Sequence, residues 1–169
     1  EDVITNTDGE IIYPRLVENE LKSSPYIQEA VCFGKDKPYM TAILNIDMNS
    51  VGRWADKNRI LYTEYSDLSR NPKVVELIEQ QVEQLMSKLS PQNRVKKFSI
   101  LHKQFTADQG ELTRTLKIRR NFVEQKYKIL LDGMYSDTQE VSLTSSQMES
   151  VEEEVSLRVI QLKIEQGVA

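Results

Sequence analysis

The sequence has 169 residues, of which 39% are hydrophobic and 28% charged; this suits one folded domain with an appendage and excludes a disordered chain. Its net charge of −4 argues against a dedicated nucleic-acid binder, and the short basic run Arg94, Lys96, Lys97 does not overturn that. The one cysteine, Cys32, and the one histidine, His102, exclude an internal disulfide and a zinc cage, and no apolar stretch approaches the roughly 18 residues that a membrane span needs.

The chain opens on Glu1-Asp2, with no methionine and no signal-like region, and reads as a piece of a longer protein. A lone thiol without a leader fits the reducing cytoplasm. Residues 1–12 read as two short extended pieces around an Asp8-Gly9 turn. Pro14 suits the first position of a helix to about Lys22, with Val17 and Leu21 on one face. Two strands, 27–34 and 39–46, follow around a polar turn ending in Pro38. Both faces of this pair are apolar, which predicts cover on both sides. Val51, Trp54 and Ala55 mark a short helix over 49–58, and 59–70 reads as a connector.

The clearest helix runs over 72–89. Asn71 is its candidate N-cap, Pro72 its first residue, and Val74, Val75, Ile78, Val82, Leu85, Met86 and Leu89 its apolar stripe. Residues 96–102 read as a strand. A loop with Gly110 leads into a helix over 119–134, buried along Val123, Tyr127, Leu130, Leu131 and Met134. From Ser136 the chain turns polar and acidic, and then 155–164 becomes β-like, with a phase shift at Ile160. This segment is expected to pair with a sheet edge or with 140–144. The fold class is therefore α+β: a compact mixed sheet flanked by helices over 1–135, and a β-like extension over 136–169.

The sequence holds no GxxxxGK[ST] phosphate loop, no GxGxxG and no GxSxG. Cys32 alternates into an apolar strand and reads as a buried thiol. His102 reads as structural or exposed. The run Glu152-Glu153-Glu154 reads as a solvated turn, and no metal site is expected. Residues 110–120, GELTRTLKIRR, are different: Arg114, Lys117, Arg119 and Arg120 gather where a helix begins. The helix dipole is positive at that end and favours acidic residues. An anionic partner and a solvated basic patch both remain open from composition.

GELTRTLKIRR resembles the last signature motif of the AMP-forming acyl- and aryl-CoA ligases, in the Leu-Thr-x-Thr-x-Lys-x-x-Arg form of the long-chain fatty acid–CoA ligases. Leu116 stands where many members carry glycine. The opening of the chain also resembles the segment after the inter-domain hinge of these enzymes, through Gly9, Glu10, Pro14, Glu18, Leu21, Tyr26, Ile27, Glu29 and Ala30. The resemblance covers residues 1 to about 135.

The resemblance implies the small C-terminal domain of such a ligase, a mobile lid that lacks the main active site. A partner adenylation domain, N-terminal to it and absent here, would bind ATP and Mg2+ and the fatty acid. Acyl-AMP and pyrophosphate would form first, and CoA would then displace AMP. Lys117 would be the catalytic lysine of adenylation, with Arg114, Arg119 and Arg120 as a supporting basic cluster. Asp8, Gly9 and Glu10 would line the CoA channel, and Glu1 or its predecessor would be the hinge. The expected location is the cytoplasm, with peripheral membrane contact left open. The alternative is a non-catalytic domain for oligomerisation or partner binding.

Overall fold

The computed structural model describes residues 3–144 and 154–164. The chain begins with two short paired strands, β1 (Ile4–Thr5) and β2 (Ile11–Ile12), joined by the Asp8-Gly9 turn. The first helix, α1 (Pro14–Leu21), starts on its proline and buries Val17 and Leu21. The strands β3 (Ile27–Phe33) and β4 (Met40–Ile46) follow as an antiparallel pair. The next helix, α2 (Met48–Lys57), is capped by Asp47, whose carboxylate accepts from the Ser50 N–H.

The segment read as a connector contains a further short helix, α3 (Tyr65–Arg70). Its one fully buried apolar residue is Leu68, too little to give a helical period in the sequence. The long helix α4 (Pro72–Met86) has the expected cap: Asn71 Oδ1 accepts from the Lys73 N–H. Val74, Ile78, Val82 and Met86 are wholly buried along its stripe. Each such side chain contributes about 1.5–3 kcal/mol relative to exposure.

The strand β5 (Val95–Ile100) stops short of His102, which lies buried in the bend beyond it. Burial first, with Lys103 and Arg70 adding to it, pushes the His102 imidazole down to about 4. The imidazole is therefore neutral at pH 7.

One helix was expected over 119–134; two are found, α5 (Arg120–Lys126) and α6 (Lys128–Met134). The break falls at Tyr127, whose ring is buried edge-on to Phe105 and whose hydroxyl donates to Glu111. The last strands among the described residues are β6 (Glu140–Leu143), β7 (Val155–Arg158) and β8 (Ile160–Gln161).

The central sheet has the order β3-β4-β5-β8. Its inner pair, β4 and β5, is parallel, because the helices α2 to α4 carry the chain back across one face. Ala30, Cys32, Ala42 and Leu44 meet those helices and α1 on that face. Val31, Phe33 and Ile43 pack on the opposite face against α5, α6, β6 and β7. The two-sided cover expected of the 27–46 hairpin is thus present.

The tail takes both pairings open to it. β7 pairs with β6 as an antiparallel hairpin, and β8 adds to the edge of β5. The phase shift at Ile160 marks the change of partner, since Val159 and Ile160 are both buried, in opposite cores. Gly133 makes the tail's approach possible. A Cβ there would lie 2.2 Å from Val141 Cγ2, so any side chain would push β6 off α6.

Candidate functional site

Residues 111–119 form a small hairpin rather than an open loop. The Arg119 N–H donates to the Glu111 carbonyl at 2.9 Å, Leu112 bridges Ile118, and the Thr113 N–H donates to the Lys117 carbonyl at 2.8 Å. The tip closes with the Leu116 N–H on the Thr113 carbonyl at 2.9 Å, and Thr113 Oγ1 accepts from the Lys117 N–H at 3.1 Å. The three-residue tip, Arg114 to Leu116, ends in a left-handed residue, which is the bulged form of a short hairpin loop.

That residue is Leu116, with φ +63. A non-glycine side chain in this region costs about 1–2 kcal/mol. The glycine usual here in the resembled motif has a plain physical reason, and Leu116 keeps the conformation without that relief. Its side chain is 67% exposed, so packing within the domain does not compensate the strain.

The base of the hairpin is fixed by Glu111, which is fully buried. Its carboxylate accepts from Lys103 Nζ at 2.8 and 3.0 Å, from the Thr106 N–H at 3.0 Å and from the Tyr127 hydroxyl. Lys126 Nζ lies 3.1 Å from its second oxygen. Burial alone would raise the Glu111 carboxyl, but the Lys103 and Tyr127 hydrogen bonds outweigh it and hold the group below its usual range. It is an anion among satisfied donors. Sequence reasoning quoted Glu111 within the motif but gave it no role.

The basic residues of the segment part company. Lys117 and Arg114 are exposed, and among the described residues neither side chain makes an ion pair. Arg119 donates to the Gly110 carbonyl at 2.9 Å and lies over the Phe122 ring at 5.0 Å. Arg120 turns inward. It donates to both oxygens of the buried Glu18, and to the Cys32 carbonyl at 2.7 Å. Glu18 also accepts from the Cys32 N–H at 2.7 Å. The pair ties α1, β3 and α5 together, and Arg120 serves the core rather than the exposed tip.

The Asp8-Gly9-Glu10 turn is built around Asn6. Asn6 Oδ1 accepts from the Asp8 and Glu10 N–H groups at 3.0 and 2.9 Å, and Asn6 Nδ2 donates to Glu10 Oε1 at 3.0 Å. Gly9 takes φ +78, and a Cβ there would meet nothing within 4 Å. The loop is held to the β3–β4 turn through the Thr7 N–H on the Lys37 carbonyl. Among the described residues no hydrogen bond or ion pair joins this turn to the Lys117 hairpin. Glu1, the expected hinge, lies outside the described residues.

A groove of about 890 Å³ runs between β1, the end of β3 and the helices α5 and α6. Ile118 and Arg120 reach it, but Lys117 and residues 8–10 do not line it. Among the described residues no group of three or more His, Cys, Asp or Glu side chains could hold a metal ion, and no helix is long and apolar enough to cross a membrane.

Residues 1–139 match the family described as AMP-binding enzyme C-terminal domain. The long-chain-fatty-acid–CoA ligase FadD15 of Mycobacterium tuberculosis is 30% identical over 137 residues, which cover 80% of this chain and 23% of that protein. The long-chain-fatty-acid–CoA ligase ACSBG2 of Rattus norvegicus is 27% identical over 154 residues, again 80% of this chain and 23% of that protein. The chain thus spans about a quarter of the length of these relatives. Among solved structures, the adenylation domain of a carboxylate reductase from Mycobacterium chelonae superposes with a TM-score of 0.62 at 20% identity, over 80% of this chain and 19% of that one. The A-PCP didomain of a carboxylic acid reductase from Segniliparus rugosus, in complex with AMP, gives 0.60 at 17%, over 80% and 17%. At these identities the likeness is one of fold.

Proposed function

The chain belongs to the AMP-binding enzyme C-terminal domain family, and from that membership we propose that it acts as the lid of a long-chain fatty acid–CoA ligase, with Lys117 as its catalytic residue. The observation that carries this reading is the exposed Lys117 ammonium on a hairpin whose base is locked by buried charge. Joining a fatty carboxylate to the α-phosphate of ATP brings two anions together. A positioned ammonium offsets that repulsion, most strongly where charge develops in the transition state. Lysine suits the task because it carries a compact charge on a long stem. The Leu112-Thr113-x-Thr115-Leu116-Lys117 form of the motif supports the long-chain branch.

In this reading the adenylation domain binds ATP, Mg2+ and the fatty acid. The lid supplies Lys117 for acyl-AMP formation and then turns to present the Asp8-Gly9-Glu10 turn to CoA. In the same reading the protein works in the cytoplasm, and peripheral contact with a membrane stays open.

The 169-residue chain alone is expected to unfold cooperatively and to show no ATP–pyrophosphate exchange, because both cores close within it while it carries no phosphate loop. Robust exchange by the pure chain would refute the assignment of nucleotide binding to another domain. Gly9→Leu, made in this chain joined to an adenylation domain, is expected to slow thioester formation from supplied acyl-AMP more than adenylation. A Cβ at this position finds open space within the lid, so the added bulk is expected to act on a ligand. The backbone strain at φ +78 should cost about 1–2 kcal/mol in thermal unfolding. Equal slowing of both half-reactions would remove the turn from the CoA path.

A further inference from the structure

The geometry points to Glu111 as the positioning residue of Lys117, an inference that rests on the reading of Lys117 as the adenylation lysine. The hairpin tip has little to hold it within the domain. Arg114, Thr115, Leu116 and Lys117 are all exposed, and the bonds among Thr113, Thr115, Leu116 and Lys117 close the tip only on itself. What connects the tip to the core is the base, and there Glu111 acts twice. Its carbonyl joins the two arms by accepting from the Arg119 N–H at 2.9 Å, and its N–H ties the base to the preceding loop by donating to the Thr106 carbonyl at 3.1 Å. Its carboxylate joins two further segments, through Lys103 and Thr106 before the hairpin, and Lys126 and Tyr127 after it.

The charge of the carboxylate matters as well as its shape. Lys103 and Lys126 are only 19% and 14% exposed, and both bind the same carboxylate. An amide in its place would leave two poorly solvated ammonium groups facing each other across the base. The arms would open by the small displacement that relieves the repulsion, and the Lys117 stem would follow. A misplacement of about 1 Å in a reacting group can cost about 100-fold in rate. The sheet lies beyond this base, and its ladder does not depend on Glu111.

The test uses Glu111→Gln, Tyr127→Phe and Lys117→Ala in this chain joined to an adenylation domain, with the two half-reactions measured apart. Glu111→Gln is expected to lower adenylation by about 100-fold and to leave thioester formation from supplied acyl-AMP near wild type. Tyr127→Phe keeps the anion and removes one donor. It should show the same split at smaller size, and it decides the matter if Glu111→Gln does not fold. In hydrogen exchange, the amides of Thr113, Leu116 and Arg119 should exchange faster in either variant, while those of Ile43 and Leu44 stay protected. Wild-type adenylation in both variants overturns the role of Glu111. So does a parallel fall in both half-reactions with loss of protection in β4, which would make the residue structural only. If Lys117→Ala itself adenylates at the wild-type rate, the reading of Lys117 fails first; slow Lys117→Ala beside normal Glu111→Gln and Tyr127→Phe sinks the positioning role alone.

Discussion

Lys117→Ala, in this chain joined to an adenylation domain, is expected to slow acyl-AMP formation by about 100- to 1,000-fold while use of supplied acyl-AMP stays near the wild-type rate. The expectation begins with local structure. Lys117 sits just past a tip that turns on Leu116 and is closed by backbone bonds, so its stem leaves the domain from a fixed base into solvent. No carboxylate of the described residues pairs with it, so its charge remains available to a facing ligand. Two unit charges about 4 Å apart interact by about 4 kcal/mol at an effective dielectric of about 20. Removing a preorganised charge of this kind costs about 3–4 kcal/mol of barrier. The loss should fall on adenylation alone, because in the proposed reading the lid turns Lys117 away before CoA attacks. Pyrophosphate exchange measures it, and thioester release from supplied acyl-AMP serves as the internal control. Wild-type exchange would leave Lys117 and Arg114 as a solvated basic patch.

Much of the scaffold was legible because its signals are local. Asn71-Pro72 and the stripe behind it specify α4, and the two-faced apolar pattern of 27–46 specifies strands buried on both sides. The phase shift at Ile160 even marked the point where the tail changes partner. The missed helix α3 has one buried apolar anchor, Leu68, and so no period to read. The break at Tyr127 was invisible for another reason. It coincides with a hydroxyl that reaches a carboxylate 16 residues away, a contact that no periodicity encodes.

The site was legible only in part for the same reason. The motif pointed to Lys117, but it could not show that Glu111 is buried, since its burial depends on Lys103, Lys126 and Tyr127 converging from other segments. Nor could composition separate Arg114, which is exposed, from Arg120, which points inward. Basic residues of one short segment look alike until the strand beneath Arg120 is in place.

Arg120→Ala is expected to destabilise the chain by about 3 kcal/mol, because it strands a charge that the core has already desolvated. Glu18 has a side chain 9% exposed and Arg120 one 23% exposed. Without Arg120, Glu18 keeps the Cys32 N–H as a donor but loses its paired cation, and the Cys32 carbonyl loses a charged donor. For a chain of this size, about 3 kcal/mol lowers the thermal midpoint by roughly 6–12 °C. Arg114→Ala, at an exposed tip, should change stability by no more than about 0.5 kcal/mol. The cause can be isolated by a second substitution. If the cost is an uncompensated buried anion, neutralising it should recover stability, and the Glu18→Gln, Arg120→Ala double variant should melt above Arg120→Ala alone. A double variant that melts at or below the single one would show that the loss comes from packing of the arginine stem, and not from the charge it leaves behind.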